Sequence, residues 1–371
     1  MPQRQLSFRG AAQSTCTRLL FSRSSLIKSF ARLASQILRA VPVWGTLLLI
    51  LAAAASLFGT ALGRLPAWAA GGLDWLSSFA AVFLAIFIEA APFLLLGSIA
   101  SGMVEVFIGR EDILRWAPRT PFWGALAGSL LGLFFPVGEC GVVPLTRRLI
   151  SKGVPVSAGM AFLLAGPVIN PIVIASTLAA FGPGALFWGR LGLSLAIAVL
   201  TGLVFSLLRP SSAPLLWQTA SPPAETPPAQ ARPPGQQLRR AVVIAADEFF
   251  EMGRYLVIGA ALAAAAQTVV PQPALLNLGR GPVLSAAAMT GLAVLLSAGP
   301  AADAFIALAF TSAFTGGSLL AFLVFGSMVD IKNALMYLRV FGPRAAACLI
   351  LLPFMLTLIF AVSLNYFAQG W

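Results

Sequence analysis

Apolar residues in this chain do not alternate with polar ones. They run on for twenty or more positions at a time. A helix needs about 20 residues to cross a bilayer core of about 30 Å. Runs of that kind cover 42–62, 75–108, 155–181, 184–208, 241–270, 319–340 and 344–365, which predicts seven membrane-spanning helices. Two further apolar stretches, 122–150 and 282–311, are interrupted at their middles. The interruptions read Phe135-Pro136-Val137-Gly138-Glu139-Cys140-Gly141 and Ser297-Ala298-Gly299-Pro300-Ala301-Ala302-Asp303. Gly and Pro side by side break a helix. A further break, Gly166-Pro167-Val168-Ile169-Asn170-Pro171, falls inside the run 155–181. Residues 209–240 hold eight prolines between Pro210 and Pro234 and few large apolar side chains, which predicts a flexible linker.

The two sides of that linker resemble each other. Ala161-Phe162-Leu163-Leu164-Ala165-Gly166 recurs 160 positions on as Ala321-Phe322-Leu323-Val324-Phe325-Gly326. At the same offset Asn170 meets Asp330, Leu178 meets Leu338, and Phe181-Gly182-Pro183 meets Phe341-Gly342-Pro343. Eight of the 23 positions from Ala161 are identical. Phe87-Ile88-Glu89 aligns with Phe249-Phe250-Glu251, and Gly97 with Gly259, at an offset of 162, so one small gap reconciles the two registers. Internal repeats of this kind are a transporter signature.

Composition agrees with a membrane protein. Of the 371 residues, 59% are hydrophobic and 10% charged, with a mean hydropathy of +0.91. Soluble domains carry roughly 25% charged residues. The formal charge of +12 becomes informative once it is divided by side. Suppose both interrupted stretches return to the face they left and the N-terminus is cytoplasmic. Nineteen of the 24 Lys and Arg then fall inside, Arg64 and Arg280 fall outside, and Arg190, Arg254 and Lys332 lie within spans. If each stretch crossed instead, the Arg147–Lys152 cluster and the linker would move outside. Positive charge accumulates on the cytoplasmic side of membrane proteins, so the charges favour hairpins.

The expected architecture is an all-α polytopic membrane protein. It comprises a basic tail (1–41), a leading helix (42–62), a first repeat (75–208), the linker (209–240) and a second repeat (241–365). Each repeat has three spans plus a re-entrant hairpin, and the odd number of spans inverts the second copy. The tail has seven Lys or Arg and no acid. It reads either as a cytoplasmic segment lying on anionic lipid or as a cleaved transit peptide. The plasma (inner) membrane is the expected location.

The chain has no histidine, which removes His-based metal sites and Ser-His or Cys-His catalytic pairs. Its three cysteines, Cys16, Cys140 and Cys348, imply no disulfide framework. No cofactor, no resident metal, no enzyme activity and no nucleic-acid partner is expected. The chemistry instead lies in acids at membrane depth, each costing roughly 2.5–3.5 kcal/mol on insertion scales. Glu89 and Glu251 are repeat equivalents and candidates for proton coupling. Glu139 and Asp303 lie at the hairpin breaks, and Asp330 matches Asn170. Together with Gly138, Cys140 and Asn170 they form the candidate substrate site. Two readings stay open for them: a ligand or proton site, or acids that lock helices together, as Glu251 with Arg254 one turn on would do. Cys140 offers a soft sulfur or a small packing residue. Asn170 faces the site or caps the broken helix. The 27 Phe and eight Trp are expected to face lipid or its interface.

Phe135-Pro136-Val137-Gly138-Glu139-Cys140-Gly141-Val142-Val143-Pro144-Leu145-Thr146-Arg147-Arg148-Leu149, then Lys152-Gly153-Val154-Pro155, resembles the ArsP-like predicted permease family. The stretches Ala161–Pro171, Ala302–Ala307 and Gly326–Asn333 resemble it too, and the likeness runs over roughly 75–365. It implies a polytopic inner-membrane permease, some of whose relatives export trivalent organoarsenicals. The chain departs from the pattern where many relatives carry Cys-x-Cys, because Gly138 stands in place of the first Cys. Three thiolates for an arsenic site are not available at the breaks. The expected function is secondary-active export of a small-molecule or metalloid substrate, with lipid and a second copy of the chain as partners. The alternatives are a channel or the membrane subunit of a two-component exporter.

Overall fold

The computed structural model describes residues 67–207, 234–269 and 281–367, apart from residues 117, 119 and 136. The tail, the leading helix 42–62 and most of the linker lie outside the described residues. All regular structure within them is helical. The first repeat contains α1 (Ala67–Phe107), α2 (Arg110–Trp116), α3 (Pro121–Leu130), α4 (Glu139–Ser151), α5 (Val156–Ala165), α6 (Pro171–Phe181) and α7 (Ala185–Ser206). The second contains α8 (Pro234–Val269), α9 (Pro282–Leu296), α10 (Pro300–Ala309), α11 (Gly316–Met328) and α12 (Ile331–Phe367). Among the described residues, four helices are long and apolar enough to cross a membrane: α1, α7, α8 and α12.

Three expectations are corrected. The stretch 319–340 is not one helix, because it divides at Val329 and Asp330 between α11 and α12. This break lies 160 positions after the one between α5 and α6. The linker ends earlier than 240, since Pro234 already opens α8. Proline suits a first helical turn because its missing N–H would be unpaired there anyway. Finally, the aromatic residues do not all face outward. Trp75, Trp123 and Trp188 are exposed, but Phe83, Phe162, Phe205, Phe322 and Phe341 are fully buried in the helix core.

The repeats correspond element by element. Glycine N-caps α4 and α10 with extended backbone, Gly138 at φ −70° and Gly299 at φ −72°. Gly182 and Gly342 both have positive φ, 63° and 75°, a region L side chains disfavour. Gly182 separates α6 from α7, and Gly342 bends α12 at the same point of its repeat.

Small residues set the contacts, as in other membrane bundles. Gly124, Gly128 and Gly132 lie in turn against Ser157, Ala158 and Gly166, so α3 runs parallel to α5. Ser285 and Ser318 hydroxyls meet at 2.8 Å and Gly326 lies on Ala293, so α9 likewise runs parallel to α11. The start of α3 and the end of α4 therefore both come to the start of α5, and the α9–α10 segment has the same relation to α11. Gly202 near the end of α7 lies on Ser157, as Ala361 near the end of α12 lies against Gly317. Gly102 of α1 lies on Ala241 and Ala245 of α8, while Ala80, Phe83 and Ile86 cluster with Val257, Ala260, Ala263 and Ala264. Those two long helices therefore run antiparallel. The repeats also exchange partners: α4 packs on α12, and α10 packs on α6.

At the α1–α4 crossing a Cβ on Gly97 would collide with the backbone of Gly141. Overpacking typically costs about 1–3 kcal/mol. Gly97→Leu is expected to lower the melting temperature of the purified protein by several degrees. Gly192→Ala, on α7 with nothing within 4 Å of the added methyl, is expected to leave it unchanged or raise it slightly.

Candidate functional site

Four helices start at the chain breaks, at Glu139, Pro300, Pro171 and Ile331. A helix N-terminus carries unpaired N–H groups and a partial positive charge. Each start is matched by an acceptor in its sequence. Glu139 lies in the first turn of α4 and Asp303 in that of α10. Asn170 caps α6, its Oδ1 accepting from the Ile172 N–H at 3.0 Å. Asp330 does the same for α12, accepting from the Asn333 N–H at 2.7 Å. Asn170 also donates through Nδ2 to the carbonyl of Val137 in the first hairpin break, at 3.4 Å.

The residue that joins these ends is Lys332, which is 1% exposed. Its ammonium donates to Asp330 Oδ2 at 2.5 Å, pairs with Glu139 Oε1 at 2.5 Å, and donates to the Ser297 carbonyl at 2.7 Å. An ammonium has three hydrogens and no lone pair, so its bonding capacity is full. The acceptors come from three separate breaks in the chain. Asn333 extends the cluster, its Nδ2 donating to Glu139 Oε2 at 3.2 Å. The Cys140 thiol reaches the Asn333 side-chain oxygen at 3.9 Å. Ser297 holds its carbonyl in position from a left-handed conformation, φ 43°, rare for a residue with a side chain. Its hydroxyl donates to Val294 at 2.8 Å and accepts from the Ile331 N–H at 3.4 Å.

A small cavity opens beside this cluster, bordered by Glu89, Gly138, Glu139, Cys140, Asn170 and Lys332. Glu89 projects from α1 against Gly299 in the second break. Asp303 is buried one turn into α10, with Oδ2 unpartnered. Of the expected site residues, the structure gathers Gly138, Glu139, Cys140, Asn170 and Glu89 around the cavity and sets Asp330 and Asp303 just behind it.

Glu251 is elsewhere. It pairs with Arg147 of α4 at 3.3 Å and Arg339 of α12 at 3.2 Å, rather than with Arg254. Glu251 thus links helices, as one of its two open readings had it, but through guanidinium groups of α4 and α12 rather than through the i, i+3 pair on its own helix. Nearby, Arg148 reaches Glu105 and Glu248 at 3.5 and 3.8 Å. Lys152, beyond the last turn of α4, donates to the carbonyls of Val104, Glu105 and Ile108, closing the end of α1. Partial burial holds the Lys152 pKa below its ordinary value, against the opposite pull of Glu105.

Two cations were missed by reasoning that looked for acids. Besides Lys332, Arg190 of α7 is fully buried. It donates to Thr177 Oγ1 at 2.7 Å, to the Pro300 carbonyl at 2.8 Å and to Ser327 Oγ at 2.8 Å. A signal existed. At the 160-residue offset Lys332 stands opposite Ile172, and Arg190 opposite Ile350. Each buried cation marks a position where the other copy is apolar.

Residues 75–366 match the model of a family described as predicted permease. The UPF0718 protein YcgR of Bacillus subtilis is 43% identical over 284 residues, covering 76% of this chain and 95% of the relative. A Streptococcus mutans protein, named as a proposed subunit of a two-component membrane permease complex, is 35% identical over 71% of this chain and 87% of its own length. The UPF0718 protein YraQ of Escherichia coli is 30% identical over 30% of each chain. No solved structure matches. On the family match and these identities, the chain belongs to the ArsP-like predicted permease family, a transmembrane transport protein family.

Proposed function

We propose that the protein is a secondary-active exporter of a small solute, working by alternating access around the two hairpin breaks. The observation that carries this reading is the position of Lys332, whose acceptors come from three different chain breaks beside one cavity. Unwound backbone at membrane depth is tolerated where it is buried in protein or lines a cavity. Pairs of broken helices mark the substrate sites of repeat-built transporters. The substrate site comprises Gly138, Glu139, Cys140, Asn170, Asp303 and Asp330, and a carboxylate there couples transport to the proton gradient.

The inverted-repeat reading is supported by the antiparallel α1–α8 pair and by hairpins whose two ends meet at one end of α5 or α11. In this reading α3–α4 enters from the cytoplasm with Arg147, Arg148 and Lys152 at its mouth, and α9–α10 enters from the opposite face. Glu89 and the ion-pair group of Glu251 then divide the work. Glu89 faces the cavity, and Glu251 helps to close the cytoplasmic end. A second reading is supported by the name of the Streptococcus mutans relative. In it the chain needs a partner subunit, and expression of this chain alone does not support transport.

Two outcomes are expected. In a chain whose three native cysteines are replaced by serine, Ser151→Cys is labelled by an impermeant thiol reagent only from the cytoplasmic face and Thr311→Cys only from the other. Labelling of both from one face removes the inversion. In the same background, a cysteine at Ala301 on the cavity wall is reached from one face at a time. Access from both faces at once identifies a channel.

The second outcome concerns the charges. Breaking a buried ion pair by removing one partner typically costs about 3–5 kcal/mol. A deletion strain is screened for growth against metals, metalloids and small ions. Wild type restores the phenotype, Lys332→Met and Asp330→Asn reduce it at least tenfold, and Cys140→Ala costs less than either. Full complementation by both charge variants rules the site out.

A further inference from the structure

We propose that the oxygen nest formed by Glu139, Asp330 and the Ser297 carbonyl is a cation-exchange site. Lys332 occupies it at rest, and a small monovalent cation is the ligand that replaces it. This deepens the transport reading and rests on it.

The nest binds a cation already, since the Lys332 ammonium fills it with all three hydrogens directed at oxygen. The surroundings are rich in acceptor oxygens: Glu89 and Glu139 border the cavity beside Lys332, and Asp330 lies against the ammonium. Arg190 is committed to Thr177, Ser327 and the Pro300 carbonyl rather than to a carboxylate. Asp303, behind the second break, keeps Oδ2 buried without a hydrogen-bond partner. Carboxylate and carbonyl oxygens accept hydrogen bonds and donate none, so the nest suits a cation rather than an anion. The donor set also opposes a soft metal or metalloid. The nest offers carboxylate and carbonyl oxygens, which suit hard cations, and a single thiol, Cys140, bonded to Asn333.

Exchange follows from the geometry. Lys332 borders both the nest and the cavity, so a cation arriving from the cavity competes with the ammonium for the same oxygens. Glu89, which also lines the cavity, receives the displaced ammonium. Losing the Lys332 bonds frees the second break at Ser297 from the first at Glu139. Cargo binding is thereby linked to movement of the hairpins.

The test uses the purified full-length protein, at ionic strength held constant with choline, which is too bulky for the nest. Lys332→Met leaves the nest without its resident cation. Its melting temperature is expected to rise saturably, by at least about 2 °C, when sodium, potassium or methylammonium replaces choline. The double variant Lys332→Met, Glu139→Gln is expected to lose the rise. Stabilisation by sodium or potassium identifies an inorganic ion as the ligand, and stabilisation by methylammonium alone identifies an organic amine. If no cation exceeds choline, the proposal is overturned.

Should Lys332→Met fail to fold, wild type carries the test through the rate at which methyl acetimidate modifies Lys332. That rate is expected to rise at least twofold with the effective cation. A rate unchanged by all three cations overturns the proposal. The labelling test at Ala301, in which the expected access is from one face at a time, needs no ligand of known identity. Its success beside a failed cation response sinks the exchange site and leaves alternating access standing.

Discussion

The centre of this molecule depends on one ammonium group held away from water. A lone buried charge is costly, and its burial is tolerated only when it is paired and its hydrogens are bonded. Lys332 meets that condition by drawing Glu139, Asp330 and the Ser297 carbonyl to one point. These acceptors belong to α4, to the turn after α9 and to the cap of α12. The ammonium therefore fixes the relative positions of both hairpin breaks and of the second broken span. Each acceptor also serves its own chain segment. Glu139 sits at the positive end of α4, and Asp330 caps α12. The same groups satisfy helix ends locally and a buried cation globally.

Near-symmetry with local exceptions explains the division of labour. The two repeats share glycine-capped half-helices, a positive-φ glycine before proline, and small residues at the α3–α5 and α9–α11 contacts. That shared part builds a frame. Chemistry enters where the copies differ. Asn170 becomes Asp330, Ile172 becomes Lys332, and Ile350 stands where the first copy has Arg190. Asn170 ties the first break through a neutral hydrogen bond to Val137, whereas Lys332 ties the second through a charge. The two halves are therefore alike in frame and unlike in the charge at their breaks.

Beyond the centre, the basic end of α4 forms a second electrostatic layer. Arg147 and Arg148 join α4 to α1, α8 and α12 through Glu105, Glu248 and Glu251. Apart from Glu248, which is buried, these partners are partly exposed and their pairs individually weak, in contrast to the saturated Lys332 cluster.

Much was legible in the sequence because its rules are local. Helix class follows from the length of the apolar runs, and the chain breaks before α4 and α10 follow from Gly138 and from Gly299–Pro300. The likeness of the two halves follows from residue identities. Glu89, Glu139 and Asn170 drew attention as polar residues in apolar stretches, and the structure sets all three around one cavity. Lys332 and Arg190 were counted within spans, but their partners could not be read. Glu139 lies 193 positions from Lys332, and the Ser297 carbonyl has no side-chain signature. Glu251 illustrates the same limit. Sequence spacing offered Arg254, while the folded chain supplied Arg147 and Arg339 from other helices. Capping, breaking and burial are decided by a residue and its neighbours along the chain. Which charge neutralises which depends on distances between helices, and those exist only once the helices have packed.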